Sequence, residues 1–330
     1  MKFKALVVRE TSDHQFLRGI EEKDIDDLPP GEILIQVKYS SLNYKDALSA
    51  IGNKGVTKKY PHTPGVDAAG IVTEGDGQKF RIGDEVIVTG YELGSNTDGG
   101  YGEYIRVPVD WVVKKPNKLS LKECMSYGTA GFTAGQCLFN FEKVDIVPEN
   151  GEILVTGATG GVGCLAVAIL SKSGYNVVAA TGKLDQKGFL EQLGAKQVIH
   201  RDEILDKSKD PLLKSRWAGV VDTVGGNYLA SALKATKQRG AVAVCGLVAS
   251  HELNTTVFPF ILRGVKLLGI DSAWCPMESR LEIWDHLAGD WKINSFDEIV
   301  QECTLEQLDD QIDLILKGKV CGRIVVKHSL

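Results

Sequence analysis

The chain has 330 residues, 43% hydrophobic and 25% charged, proportions that exclude disordered and fibrous classes and, at this length, predict roughly two ordered domains. Its 38 basic and 43 acidic residues leave a formal net charge of −5. Nothing global therefore attracts nucleic acid or an anionic membrane, and any anion site must be built locally.

In chain order, residues 1–120 read as short β segments broken by Gly, Pro, Asn and Asp. Within GEILIQVKYS, Ile33, Ile35, Val37 and Tyr39 alternate with Glu32, Gln36 and Lys38, the period-2 pattern of a half-buried strand. Further strands are predicted at AGIVT (69–73), DEVIVTG (84–90), EYIRVP (103–108) and WVVKKP (111–116), giving a twisted antiparallel barrel or sandwich. From about 121 to 270 the pattern becomes strands alternating with helices, as a parallel doubly wound sheet requires. Strands are predicted at EILVTG (152–157), NVVAATG (176–182), QVIH (197–200), AGVVDTVG (218–225), AVAVCG (241–246) and VKLLGI (265–270). Val162, Leu165, Ala166, Ile169 and Leu170 form one helical stripe, with Gly174 placed to end the helix. The strand-like GRIVVK (322–327) near the C-terminus is suited to pairing back onto the N-terminal β region.

The seven cysteines (124, 137, 164, 245, 275, 303 and 321) are odd in number and make no C-x-x-C pair. That pattern disfavours a disulfide framework or a four-cysteine zinc lobe and reads as reduced thiols. The opening MKFKALVVRE lacks the apolar run of a signal peptide, and CLAVAIL and AVAVC fall well short of the about 20 residues of a membrane span. A soluble, cytoplasmic protein is expected.

The strand EILVT runs into Gly157-Ala158-Thr159-Gly160-Gly161-Val162-Gly163 and then into the striped helix. Glycines here permit a tight turn and close approach of a pyrophosphate, while the helix N-terminus supplies N–H groups and partial positive charge. The strict G-x-G-x-x-G spacing fails at its first glycine, so strand–turn–helix placement carries the dinucleotide reading. At the second strand's tip, where an acid would bind a ribose 2′-OH, the chain has Thr181-Gly182-Lys183, with Arg201 after the third strand. A hydroxyl, an ammonium and a guanidinium suit a 2′-phosphate, hence NADPH. Asp185 is either a ribose-binding acid or, as the better reading, an N-cap for QKGFLEQL.

These residues, with SSLNYKDAL (40–48), PGVDAAG (64–70), RIGDEV (81–86), GTAGFTA (128–134), VVDTVGG (220–226) and FILRGVKLLGIDS (260–272), resemble the medium-chain dehydrogenase/reductase superfamily. Within it the chain is similar to the YhdH/YhfP-type quinone oxidoreductases, the group that includes acrylyl-CoA reductase. The resemblance implies a GroES-like catalytic domain over 1–120, completed by 271–330, around a Rossmann NADPH-binding domain over 121–270. Zinc-dependent relatives carry a cysteine where this chain has Asn43 and a His-Glu pair where it has Val66-Asp67, so no catalytic zinc is expected.

By the same resemblance Tyr44, with Asn43, is expected at the reaction centre beside the nicotinamide, with Asp46 structural. Thr159, Gly160, Gly161, Val162, Thr181, Gly182, Lys183, Arg201, Leu247, Ile261 and Ser272 are expected along the cofactor. The implied activity is hydride transfer from NADPH to a small enoyl thioester, most simply acrylyl-CoA. A quinone acceptor, or an NADPH-binding protein without turnover, is the alternative. Lys54, Lys58 and Lys59 are candidates for CoA or plain surface charges, and VKLLGI is a candidate edge strand for a homodimer.

Overall fold

The computed structural model describes residues 1–329. The chain opens with strands β1 (Lys2–Glu10), β2 (Phe16–Asp24) and β3 (Ile33–Leu42), then helix α1 (Tyr44–Ala50), then β4 (Asp67–Glu74), β5 (Glu85–Thr89), β6 (Tyr104–Val107) and β7 (Val113–Lys114). The long helix α2 (Leu121–Lys143) is two helical runs meeting at Gly128. There follow β8 (Glu152–Val155), α3 (Gly161–Lys172), β9 (Asn176–Thr181), α4 (Lys187–Gln192), β10 (Gln197–His200), β11 (Trp217–Asp222), α5 (Gly226–Ala235), β12 (Thr236–Val244), α6 (Phe258–Arg263) and β13 (Lys266–Gly269). The chain closes with α7 (Met277–Ala288), β14 (Val300–Thr304), α8 (Leu308–Leu316) and β15 (Arg323–Lys327).

Two compact units result: residues 1–129, 273–288 and 299–330 in the first, and 130–272 with 289–298 in the second. In the first, the main sheet runs β14-β15-β3-β4-β5-β7 with β6 also on β3. Alternation in β3 sends Ile33, Ile35 and Val37 to a core with Val72, Val86, Val88 and Ile105, while Leu34 joins Phe3, Ala5 and Val7 of the β1–β2 hairpin. The C-terminal strand pairs antiparallel with β3, Ile324 opposite Leu42, as the strand-like GRIVVK predicts. Of the strand expected at 111–116 only Val113–Lys114 pairs, because Val109–Trp111 turn into a short 3₁₀ helix.

The second unit holds a parallel sheet in the order β10-β9-β8-β11-β12-β13. Its central strands are buried on both faces, so they read as unbroken apolar runs such as VVAA and GVV. Strand order reverses between β8 and β11, and the crevice beyond the carboxyl ends of such a pair is where open α/β sheets bind ligands. Helix α3 ends as expected, with Gly174 at φ +85°. Helix α4 does not start as expected. The chain tightens into a 3₁₀ turn at Leu184–Gln186, so Asp185 falls inside that turn, accepts from the Gln186 amide at 2.9 Å and does not cap α4.

His328, just past β15, is buried and donates through its Nε2–H to the Gly100 carbonyl at 2.9 Å. Burial pulls its pKa down to about 4, against smaller upward contributions from that carbonyl and from Glu306. Between pH 6.5 and about 4 the unfolded chain therefore binds a proton that the native chain does not, and stability is lost as pH falls through that window. The depression corresponds to roughly 3 kcal/mol. Chemical denaturation of His328→Gln and wild type at pH 7 and pH 4.5 is expected to show the variant losing less stability on acidification, by about 2–3 kcal/mol.

Candidate active site

In the second unit the site begins at the turn after β8. Gly157 has φ +60°, and a Cβ there would stand 2.4 Å from Thr223 Oγ1; a Cβ on Gly163 would stand 2.3 Å from the Gly157 carbonyl. Only glycine lets the turn fold so tightly against the start of α3. Gly160 precedes that helix in an extended conformation and no side chain caps it, so the N–H groups of Gly161, Val162 and Gly163 fit a bound pyrophosphate.

Buried Thr159 places its hydroxyl 3.2 Å from that of Thr181, which also accepts the Lys183 N–H at 3.0 Å. These bonds tie the glycine turn to the tip of β9. The parallel register sets His200 beside Thr181, so Arg201 follows directly alongside Gly182. A Cβ on Gly182 would meet the Arg201 guanidinium at 3.1–3.3 Å. Gly182, half-buried Lys183 and exposed Arg201 thus gather at one strand end, a cationic group beside the glycine turn. Leu247, on the loop after β12, and Ile261, on α6, are 60% and 68% exposed, and Ser272 is half-buried after β13. A pocket of about 320 Å³ opens at the carboxyl ends of β11 and β12, lined by Gly225, Gly226, Cys245, Leu247, Ser250 and Ile270 among others.

In the first unit, Asn43 follows β3 as the N-cap of α1, which Tyr44 begins. The Asn43 N–H and Nδ2 donate to Asp46 at 2.9 and 3.2 Å, Nδ2 also donates to Asp67 at 2.8 Å, and Oδ1 accepts from Arg323 at 3.1 Å. Every polar atom of the amide of Asn43, expected at the reaction centre, is bonded inside the protein. Asp67 further accepts from the Ser41 hydroxyl at 2.5 Å and from the N–H and hydroxyl of Thr129 at 2.9 and 2.6 Å. Asp46, buried under the first turn of α1, accepts the Val66 N–H at 2.8 Å; burial first, and then the Asp67 charge, push its carboxyl up to about 6. Tyr44 keeps 37% of its surface exposed at this buried network's edge.

The positions of zinc ligands in the dehydrogenases are Asn43 and Val66 here, neither of which supplies a thiolate or imidazole. Among the described residues no three His, Cys, Asp or Glu converge as a metal would need. Of the lysines considered for CoA, Lys54 bonds Glu10 at 2.6 Å and lies over the Phe16 and Tyr60 rings, while Lys58 and Lys59 are exposed. Sequence reasoning missed Arg323, Ser41 and Thr129, which become neighbours only through the pairing of β15 with β3 and the break in α2.

Comparison with known proteins agrees with this geometry. Residues 29–117 match the alcohol dehydrogenase GroES-like domain and 161–283 the zinc-binding dehydrogenase family. The chain is 42% identical to acrylyl-CoA reductase AcuI of Ruegeria pomeroyi, over 98% of each chain. Among solved structures it is similar to the yhdH oxidoreductase of Salmonella enterica in complex with NADP (41% identity, TM-score 0.95, 99% of each chain). It is also similar to Bacillus subtilis yhfP with NAD bound (45% identity, TM-score 0.96, 99% of each chain).

At Gly128 (φ +51°, ψ −156°) a Cβ would lie 2.5 Å from Asp67 Oδ2 and 2.6 Å from Ser41 Oγ, in backbone space that essentially only glycine occupies. Gly128→Ala is expected to destabilise the first unit by at least roughly 3 kcal/mol, the sum of strain and a disrupted buried network. Urea unfolding followed by tryptophan fluorescence checks this; a loss under about 1 kcal/mol would show that the network tolerates displacement.

Proposed function

Because the chain belongs to the medium-chain dehydrogenase/reductase superfamily, in the zinc-independent YhdH/YhfP-type group, we propose that it reduces the carbon–carbon double bond of a small α,β-unsaturated thioester, most simply acrylyl-CoA. It is an oxidoreductase whose reductant is NADPH. The observation that carries the substrate class is the make-up of the corner around Asn43. Asn43 and Val66 offer neither thiolate nor imidazole, the Asn43 amide oxygen is bonded to Arg323, and the oxygens of Asp67 are occupied by Ser41, Asn43 and Thr129. Oxidation of a simple alcohol leans on a Lewis acid to form the alkoxide. Reduction of a conjugated thioester puts its charge on an oxygen that hydrogen-bond donors can stabilise.

NADPH, when bound, supplies the hydride. The chain's own part begins with the turn 157–163 and the N–H groups of α3, which hold the pyrophosphate, while Lys183 and Arg201 take the 2′-phosphate. Tyr44 donates its hydroxyl to the thioester oxygen as charge develops there, and Asn43, Asp46 and Asp67 hold the first turn of α1 so that this donor is preorganised. The α-carbon is then protonated from solvent. Lys58 and Lys59 are the lysines of their loop available to CoA phosphates. A homodimer built on β13, the edge strand, and a cytoplasmic location complete the reading. Similarity to acrylyl-CoA reductase AcuI supports the thioester, and the quinone oxidoreductases among the relatives make quinones the competing acceptor.

Two charge-assisted bonds of about 1.5–3 kcal/mol each predict at least roughly 100-fold preference for NADPH over NADH. Lys183→Ala with Arg201→Ala is expected to remove most of that preference and to leave kcat/KM with NADH nearly unchanged. Equal wild-type kcat/KM for the two cofactors would refute the 2′-phosphate assignment.

NADPH oxidation followed at 340 nm with acrylyl-CoA, crotonyl-CoA and small quinones tests the substrate class, acrylyl-CoA being expected to give the highest kcat/KM. Tyr44→Phe is expected to lower kcat with acrylyl-CoA tenfold to a hundredfold, by loss of one hydrogen bond of about 1.5–3 kcal/mol. A wild-type single-turnover rate in that variant would reduce Tyr44 to a packing role.

A further inference from the structure

Two reduced cysteines of the second unit, far apart in sequence, have their thiols in contact: Cys137 on the second run of α2 and Cys245 just past the end of β12. The helix delivers its thiol because this part of α2 lies against the sheet. A Cβ on Gly219, in β11, would meet the Phe141 ring at 3.2 and 3.3 Å, and Phe141 is one turn beyond Cys137 on the same helix face. Strand β12 pairs with β11, Val244 opposite Asp222, so Cys245 follows at the carboxyl end of that pair.

The two thiols have different surroundings. Cys137 is fully buried, and its hydrogen bond to Cys245, then burial, holds the thiol well above the usual range. A bond that favours the protonated form is one in which that group donates, so the Cys137 S–H is aimed at the Cys245 sulfur. Cys245 is half-buried, lines the pocket of about 320 Å³ at the carboxyl ends of β11 and β12, and donates its own S–H to the Asp222 carbonyl at 3.4 Å. Its backbone is pinned. The Cys245 N–H donates to the same carbonyl at 3.0 Å, and a Cβ on the next residue, Gly246, would stand 2.0 Å from the Thr223 carbonyl oxygen. The Cys245 sulfur therefore moves by side-chain rotation, with the pocket on one side and Cys137 on the other.

We propose that Cys137 and Cys245 form a reversible redox pair, in which a peroxide entering the pocket oxidises Cys245 and Cys137 resolves the product into a disulfide. In the first step the Cys245 sulfur attacks a peroxide oxygen, the O–O bond breaks, and a sulfenic acid forms while the departing hydroxide leaves as water with the thiol proton. In the second the Cys137 sulfur attacks the Cys245 sulfur, the S–S bond forms as the S–O bond breaks, and the departing hydroxide takes the Cys137 proton as a second water. Two thiols lose two electrons to one peroxide. Access sets the order, since oxidation of a thiol follows its exposure, and a disulfide needs side chains that already converge. The bond removes the Cys245 S–H from the pocket wall and ties α2 to the end of β12, and a dithiol reverses it. The pair works whichever acceptor the enzyme reduces.

The experiment treats the reduced enzyme with a small excess of hydrogen peroxide. Intact mass is expected to fall by about 2 Da as two hydrogens leave, two of the seven thiols to stop reacting with an alkylating reagent in denaturant, a peptide map to join Cys137 to Cys245, and dithiothreitol to reverse all three. In Cys137→Ser, Cys245 is expected to stop at the sulfenic acid and to be trapped by dimedone; in Cys245→Ser, Cys137 is expected to remain a thiol. Wild type that carries Cys245 as a sulfenic or sulfinic acid with Cys137 still a thiol overturns the pairing. A disulfide that uses another cysteine overturns it too, as does an unoxidised enzyme under conditions that fully oxidise glutathione. Dimedone on Cys137 in Cys245→Ser overturns the order of attack. Should a serine variant fail to fold, the wild-type peptide map decides by itself.

Discussion

A carboxylate taken out of water must find all its hydrogen bonds in the protein or lose its charge, and Asp67 satisfies that requirement from two separate parts of the first unit. Ser41 and Asn43 reach it from the end of β3, and Thr129 from beyond the break in α2. Arg323, arriving on β15, joins through Ser41 and Asn43. The constraint explains features that look unrelated when taken singly. Gly128 must be glycine because the convergence of Asp67, Ser41 and Arg323 leaves no room for a Cβ. The start of α1, and with it the placement of Tyr44, follows from the bonds of Asn43 and Asp46.

In the second unit the governing constraint is steric. A sheet strand can pass into a helix at ligand-binding distance only if backbone meets backbone, and Gly157 and Gly163 are the residues that allow it. The parallel register then does the rest. Because β10 lies beside β9 with His200 opposite Thr181, the cations after each strand arrive together without any contact being read by the sequence pattern directly.

Periodicity made much of this legible in the sequence. The strands of both sheets, the stripe of α3 and its closing glycine, and the return of the C-terminal strand follow from alternation, helical spacing and glycine punctuation, all of which are local. What stayed hidden depends on partners remote in the chain. Nothing in GRIVVK says that Arg323 will be buried beside Asn43, since that needs the pairing of Ile324 with Leu42 across 282 positions. The same holds for Cys137 and Cys245, each an ordinary cysteine in its own segment. The contact of the Thr181 hydroxyl with Thr159 also stayed hidden, because it is a matter of an ångström that spacing cannot resolve. Asp185 failed as a cap because a 3₁₀ turn moved the helix start by one residue, to Lys187.

Charge balance in the Asn43 corner connects the fold to the chemistry. Two buried carboxylates, Asp46 and Asp67, share the corner with the guanidinium of Arg323, which bonds Ser41 and Asn43. The Asn43 amide oxygen is taken by Arg323, and the excess is met by neutral donors that include two backbone N–H groups on Asp46 and two hydroxyls on Asp67. That arrangement is rigid, because each donor is committed, and it leaves no acidic proton or Lewis acid to spare for a substrate. In the proposed reaction, polarising an acceptor falls to a group outside the network yet fixed by it. Tyr44 meets both conditions, since its backbone continues from Asn43 while its ring remains partly exposed. The proposed reduction, whose developing charge needs one oriented donor and neither metal nor strong acid, is suited to such a corner.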